Sequence, residues 1–426
     1  MPPGPEEGFD INSMERPLER MLELHARYGD VYRVHSPERR RWSYVIAHPR
    51  DVKHVLIDNR NNYHKGTGFD RVRILLGNNI ITSDGEIWRR NRLMVQPAFH
   101  RDLIETYARR MEPVNAALAR RWLEHAARGE PVDVTRDTSE LALLGVLGAL
   151  FSDDVERFDE DGGNPFMLVA EESARDLAFA RRFRELGRQV QALIERRRAQ
   201  GIERSDVLGA LMLARDRKTG EPMADKQIVS EVLMLVVAGH ETTATTLNFT
   251  WYLLSCNPRV AAALEQEIGD VLGSRPATVD DLPRLAYTRQ ALEETMRLYP
   301  PVWRFTRRAV ADDEIGGYSV PAGSDVCICP YITHRHAEFW PDAESYRPER
   351  FAEEEVERRH RVAYLPFSAG PRRCIGDSLA LIEMQLHLAH VVPALRLRAT
   401  SDEAPELEPE VNLRTRGSIH MLAEAR

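Results

Sequence analysis

The stretch from Asp225 to Leu254 most narrows what this chain can become. Its first half, Ile228 through Ala238, is a core-like apolar run, and apolar residues resume at Leu247, Phe249, Trp251 and Tyr252. A helix with so little polar face has to be covered by other elements, so a large, mainly helical body is expected around it. The run Gly239-His-Glu-Thr-Thr-Ala-Thr-Thr246 breaks the apolar pattern in the middle. Gly costs about 1 kcal/mol against Ala inside a helix, and β-branched Thr propagates a helix poorly. Two explanations fit. The Thr hydroxyls bond back to the preceding turn and leave a bent core helix. Alternatively, Gly239 lets a ligand approach the backbone while Glu241 and Thr242 supply an acid and an alcohol for ordered water and proton delivery.

With 426 residues, 43% of them hydrophobic, the chain can bury a substantial core. Length alone permits two or three domains. No linker, repeat or low-complexity tract divides it, so one body over residues 1–426 is expected. Val31–Val34 and Ser43–Ala47 read as strands of a small β region, and the turns at Gly316-Gly317 and Pro321-Ala-Gly323 bracket further short strands. Leu103–Ala127 reads as one helix, and Leu413–Met421 as a terminal hairpin turning near Gly417.

A formal charge of −8 argues against a nucleic-acid partner. The basic clusters Arg39–Arg41 and Arg196–Arg198 lack interleaved aromatics. The start, Met-Pro-Pro-Gly-Pro-Glu-Glu, is neither a signal peptide nor an anchor helix, and Val232–Ala238 is too short to span a bilayer. Cys256, Cys327, Cys329 and Cys374 have spacings unlike a zinc module or a secreted disulfide framework. A soluble, cytoplasmic protein without a membrane anchor follows as the expectation.

The second informative stretch is Phe367-Ser-Ala-Gly-Pro-Arg-Arg-Cys-Ile-Gly376, followed by the apolar periodicity Leu379, Leu381, Ile382, Met384, Leu386, Leu388. Cys374 therefore lies where a Gly/Pro-rich loop enters a helix, a setting that favours thiolate. A buried Cys is otherwise an ordinary small hydrophobe. Small residues around it let the backbone approach a bound group, and Arg372 can meet an anionic one.

Phe367, Gly370, Arg372, Cys374 and Gly376 together resemble the haem-binding loop of the cytochrome P450 family, in which the Cys thiolate is the proximal iron ligand. Ala238-Gly-His-Glu-Thr242 resembles that family's oxygen-activation motif, with Glu241 as acid and Thr242 as alcohol, and Ala238 and Gly239 beside the cofactor. His240 has no such role there, and its helical phase differs from that of Thr242. Trp88 and Arg92, four apart on one helix face, resemble contacts to the haem propionates. Read by themselves, they are equally a core Trp beside a surface Arg. Arg307 resembles a propionate-binding Arg on the strand after the Glu-x-x-Arg helix; Val302 and Trp303 are candidates to face substrate. Glu294, Arg297 and Arg350 resemble the family's Glu/Arg/Arg triad, which builds the proximal pocket and takes no part in bond-making. A surface Glu-x-x-Arg pair would be trivial.

The resemblance covers nearly the whole chain and implies the cytochrome P450 fold, mainly α with small β-sheets, and haem b as cofactor. It also implies a monooxygenase that inserts one oxygen atom from O2 into a lipophilic small molecule, typically by C–H hydroxylation. The chain contains no flavin, nicotinamide or ferredoxin-like module, so electrons are expected from a ferredoxin or flavodoxin-type donor with an NAD(P)H-dependent reductase. Two alternatives stay open: an H2O2-driven peroxygenase, which the intact Glu241-Thr242 pair disfavours, and a non-catalytic haem ligand-binding or sensor protein. Glu-Thr-Thr243, Tyr299-Pro-Pro301 and Pro-Glu-Arg-Phe351 resemble soluble bacterial members near the fatty-acid and microsomal-like branch, which points to a fatty acid, terpenoid or other lipophile. Phe166, Met167, Val169 and Phe179 are candidates to line its entrance, and Arg71 or Arg73 to anchor a carboxylate.

Overall fold

The long helix runs from Asp225 to Cys256 and is helical through the polar segment. Thr242, Thr246 and Thr250 each donate their hydroxyl to the carbonyl four residues back, at 2.9, 2.9 and 2.8 Å. Those bonds let a Thr-rich stretch stay helical. The helix ends at Asn257, and Pro258 opens the next helix, Pro258–Leu272, where its missing N–H is harmless. The computed structural model describes residues 1–11, 14–159, 164–167, 177–201, 204–401 and 403–426. They group into two compact units.

The first unit comprises Met1–Arg73, Glu293–Cys374 and Leu407–Arg414. At its centre is a five-stranded sheet in the order Val31–Ser36, Arg41–Ile46, Asp325–Ile328, Phe305–Ala309, Tyr63–Lys65. Val31–Ser36 and Arg41–Ile46 form an antiparallel hairpin, and Arg41–Ile46 pairs parallel with Asp325–Ile328, Val45 opposite Cys327. Alternate residues of these strands feed two apolar clusters. One holds Tyr32, Val34, Val45 and Cys327 under the helix Pro17–Tyr28; the other holds Tyr44, Ile46, Val326 and Ile328. Cys327 and Cys329 are packing residues as expected, and burial pushes their thiols up to about 11 and about 12. Trp303 also belongs to the first cluster, fully buried with its indole N–H on the Glu410 carbonyl. Its aromatic surface is therefore spent on packing, which corrects the expectation that it faces substrate.

The second unit comprises Ile74–Leu292, Ile375–Glu406 and Thr415–Arg426. The long helix is its axis, and Val134–Phe151 packs along it. A Cβ on Gly239 would come within 2.7 Å of Val146 Cγ2, so the missing side chain at 239 is what admits the neighbouring helix. Further along the long helix, Trp251 meets Trp122 and His387, all three edge-on to one another with ring centroids 5.7–6.0 Å apart. Each polar edge in this cluster has a partner: Trp122 donates to Asp137, Trp251 to His387 Nε2, and His387 Nδ1 lies 3.0 Å from Asn115 Oδ1. Burial holds His387 neutral, down to about 3.

Two expectations about elements fail. The segment 103–127 is two helices, Arg101–Arg109 and Met111–Arg128, broken at Arg110. The terminal hairpin does not form. Leu413–Thr415 pairs with Leu407–Pro409, while His420–Ala425 inserts between Leu395–Ala399 and Pro131–Asp133. Buried Met421 and Ala423 alternate with exposed neighbours, and that alternation is satisfied by a sheet face in the second unit.

Candidate functional site

In the first unit the loop from Leu365 to Cys374 is held by its own backbone. Ser368 N–H donates to Leu365 O at 3.0 Å, Arg373 N–H to Gly370 O at 3.1 Å and Cys374 N–H to Phe367 O at 2.9 Å. Two residues take left-handed conformations, Ser368 at φ 60° and Gly370 at φ 69°. For Ser such a φ is uncommon and is held only by its surroundings. At Gly370 the need for glycine is also steric, because a Cβ would overlap the Leu56 carbonyl oxygen. The loop thus presents Cys374 as an exposed thiol, where Cys327 and Cys329 are buried. Phe367 and Arg372 are half-buried on the same loop. After Cys374 the chain enters the second unit, where Gly376 is the N-cap of Asp377–Val391.

Behind the loop, Glu294 is fully buried and ringed by donors. Arg297 reaches it twice, Nε to Oε2 at 2.6 Å and Nη2 to Oε1 at 2.8 Å. The Arg347 N–H adds a bond at 3.0 Å, and Arg350 Nε lies 3.3 Å from Oε1 as a charge pair. Arg297 spends its remaining donors on the His334 and Ser345 carbonyls and lies over the Trp340 ring. The Glu294/Arg297/Arg350 triad is therefore a buried network, not a surface pair: Glu294 and Arg297 are hydrogen-bonded to each other, while Arg350 joins as a charge pair whose Nε makes no hydrogen bond.

Arg307, on Phe305–Ala309, is buried, with Nη1 on the Thr306 carbonyl at 3.0 Å and its guanidinium over the Phe305 ring. Arg308 points to the other face, to Asp325 at 3.2 Å and Thr67 at 2.9 Å. Alternation along the strand separates the two roles.

In the second unit the long helix has a window. Val232–Val236 and Thr243–Trp251 are buried, yet Val237, Ala238, Gly239, Glu241 and Thr242 keep access to solvent. His240 is the buried exception: its Nε2 lies 2.8 Å from Ser139 Oγ on Val134–Phe151, so its ring is turned into the helix pair. Trp88 and Arg92 lie half-buried on one face of Gly85–Val95. That helix starts at Gly85 with Asp84 as N-cap and Glu86 in its first turn.

The candidates fit a porphyrin-held metal better than a metal held by side chains alone. Among the described residues no group of three or more His, Cys, Asp or Glu is placed to bind an ion. An exposed thiol at the end of a constrained loop suits a metal that brings its own equatorial nitrogens and needs one axial donor. Within the first unit, Arg307 is buried and Arg372 half-buried, and a guanidinium is the side chain suited to a carboxylate group.

Sequence reasoning missed two features. His334 is fully buried and bonds to the thiol loop at Leu365 N–H; the only hint was its place in His334-Arg-His336. Glu383 is buried against Gly145, where a Cβ would overlap its carboxylate, and burial raises it to about 8. Of the proposed entrance residues, Phe166 packs against Phe151 and Phe158 at 5.6 and 5.1 Å, which is core packing. Val169 and the side chains of Phe179 and Arg71 lie outside the described residues.

The family model described as Cytochrome P450 matches residues 7–183 and 173–421. The chain is 35% identical to cyclooctatin synthase of Streptomyces melanosporofaciens, over 98% of this chain and 94% of that protein. It is 34% identical to cyclooctat-9-en-7-ol 5-monooxygenase of the same organism, over 92% and 87% of the two chains. With pentalenene oxygenase of Streptomyces avermitilis it shares 32% identity over 93% and 90%. The chain belongs to the cytochrome P450 family, with haem b as its cofactor and monooxygenation of a lipophilic substrate as its activity.

Proposed function

We propose that this P450 hydroxylates a C–H bond of a polycyclic terpenoid hydrocarbon or its alcohol, and that Cys374 would supply the thiolate that holds the haem iron. The exposed Cys374 thiol on its constrained loop carries this reading. When bound, the haem supplies reductive activation of O2. Phe367, Arg372 and Gly376 would flank the thiolate, with Trp88, Arg92 and Arg307 on the propionates. Ala238 and Gly239, which keep access to solvent, would also contact the cofactor. Glu241 and Thr242, in the same window, would hold water and pass protons to the oxygen side of the cofactor.

Terpenoid chemistry is favoured because relatives of this chain act on cyclooctat-9-en-7-ol and pentalenene. We further propose one haem domain over 1–426, since the family match crosses both units. Electrons would come from a ferredoxin or flavodoxin-type protein with its NAD(P)H-dependent reductase. Among the described residues no helix is long and apolar enough to cross a membrane. We also propose a cytoplasmic setting.

Two measurements test the proposal. Cys374→Ala, loaded with haem, is expected to lose the ferrous–CO band at about 450 nm that marks thiolate ligation; a retained band would sink the ligand assignment. A titration panel of cyclic terpene hydrocarbons, terpene alcohols and fatty acids, read by Soret shift and product analysis, should give hits among the terpenoids. Hits confined to fatty acids would overturn the substrate class. Turnover sustained by H2O2 but not by reductase, donor protein and NAD(P)H would favour the peroxygenase alternative.

A further inference from the structure

His334 occupies a position that the triad and the thiol loop share. It is fully buried. Its Nε2 accepts the Leu365 N–H at 2.9 Å, which requires that nitrogen to be unprotonated. The neutral ring then carries its proton on Nδ1, which lies 3.3 Å from the Arg297 carbonyl. Arg297 returns the contact, donating Nη1 to the His334 carbonyl at 3.1 Å. The Tyr364 ring stacks at 5.4 Å, and its hydroxyl donates to the Glu293 carbonyl at 3.0 Å. The imidazole is thus fixed in one tautomer and one orientation by groups on both sides.

Leu365 is where this chain of contacts enters the loop. Its carbonyl accepts the Ser368 N–H, Ser368 sits at φ 60°, and Phe367 O accepts the Cys374 N–H. We propose that His334 is a positioning residue that transmits the rigidity of the Glu294/Arg297 network to the Cys374 loop and so sets the geometry of the axial thiolate. This rests on the reading of Cys374 as the ligand. Burial, with Arg297 next, holds His334 neutral down to about 3, which leaves Nε2 available as the acceptor toward Leu365 at neutral pH. Replacing the ring by a hydrocarbon of similar size would preserve packing yet leave the Leu365 N–H buried without a partner.

The test compares His334→Leu with His334→Gln, whose amide oxygen can still accept the Leu365 N–H. In the haem-loaded protein, His334→Leu is expected to lower the ratio of the thiolate ferrous–CO band to total bound CO about fivefold. His334→Gln is expected to restore most of it. A wild-type spectrum and reduction potential in folded His334→Leu would overturn the proposal, as would a Gln variant no better than Leu. Long-range 1H–15N correlation on 15N-histidine-labelled wild-type protein reads the tautomer without any variant having to fold. A neutral Nδ1–H signal for His334 supports the proposal, and an Nε2–H signal refutes it. If Cys374→Ala instead keeps the thiolate band, the ligand reading fails on its own, whatever the tautomer measurement gives.

Discussion

The polar heart of the first unit and that of the second are built on opposite rules. Around Glu294, charge is buried and closely paired: two guanidinium donors of Arg297, a backbone N–H and Arg350 surround one carboxylate. Around Glu241 and Thr242, polar groups sit in a gap left partly open in an otherwise buried helix. A closed network rigidifies, because any movement strands a charge. An open one leaves room for water and ligand. The pairing of a stiff thiol loop with an accessible acid–alcohol pair is what the proposed division between metal holding and proton handling requires.

The largest effect should come from breaking the closed network. Arg297→Ala would leave the Glu294 carboxylate buried beside a void, a change that typically costs about 3–5 kcal/mol. The expected result is a sharply lowered denaturant midpoint, with loss of haem on gel filtration. A midpoint within experimental error of wild type would mean that the Glu294 site hydrates easily and is no scaffold.

Titration sharpens the contrast next. The second unit raises two buried carboxyls, Glu383 to about 8 and Glu231 to about 7, in each case chiefly through burial. Both folded values lie above the unfolded value, so their contribution is full in acid and is lost as pH rises through about 8. Between pH 5 and pH 8.5 the second unit is expected to lose stability steadily. Glu383→Gln should flatten much of that decline. In the first unit His334 is depressed instead, to about 3, so its contribution is present above the unfolded pKa and lost as pH falls toward 3. Hydrogen exchange resolved by segment against pH would separate the two. A first unit that loosens on the alkaline side together with the second would break the distinction.

A smaller effect is expected at Gly239. Gly239→Ala gains helix propensity but drives a methyl toward Val146, 2.7 Å away. The net cost should be about 1–2 kcal/mol, and Val146→Ala in the same chain should recover most of it. If Val146→Ala rescues nothing, the glycine is needed for something other than helix packing.

How much of this was legible in the sequence follows from how local each cause is. The long helix, its polar interruption and the Phe367–Gly376 loop could be read because periodicity, glycine placement and motif spacing are encoded within a few residues of one another. Glu294 and Arg297 were legible as a pair for the same reason, but their burial depends on Arg347, Ser345 and Trp340 some fifty residues on. His334 offered only its place in His334-Arg-His336, and Glu383 could not be read at all. What makes each one notable is a distant backbone or glycine, Leu365 in one case and Gly145 in the other. The terminal hairpin failed because a two-residue alternation says that a strand has a buried face without saying which strand it pairs with.

The smallest effect on stability should accompany the most informative effect on chemistry. Thr242 and Thr246 make the same bond to the preceding turn, each at 2.9 Å, but Thr242 keeps solvent access and Thr246 is buried. Truncating either to Ala should cost no more than about 1 kcal/mol. If the hydroxyl at 242 serves only the helix, the two variants will be equivalent in every assay. If it holds the water that carries protons, Thr242→Ala alone should waste electrons. Product formed per NAD(P)H is then expected to fall about tenfold, with peroxide released in its place. Thr242→Ser should restore coupling while Thr246→Ala stays near wild type. Equal coupling in Thr242→Ala and Thr246→Ala would return the polar segment to a purely structural role and remove the chemical half of the comparison.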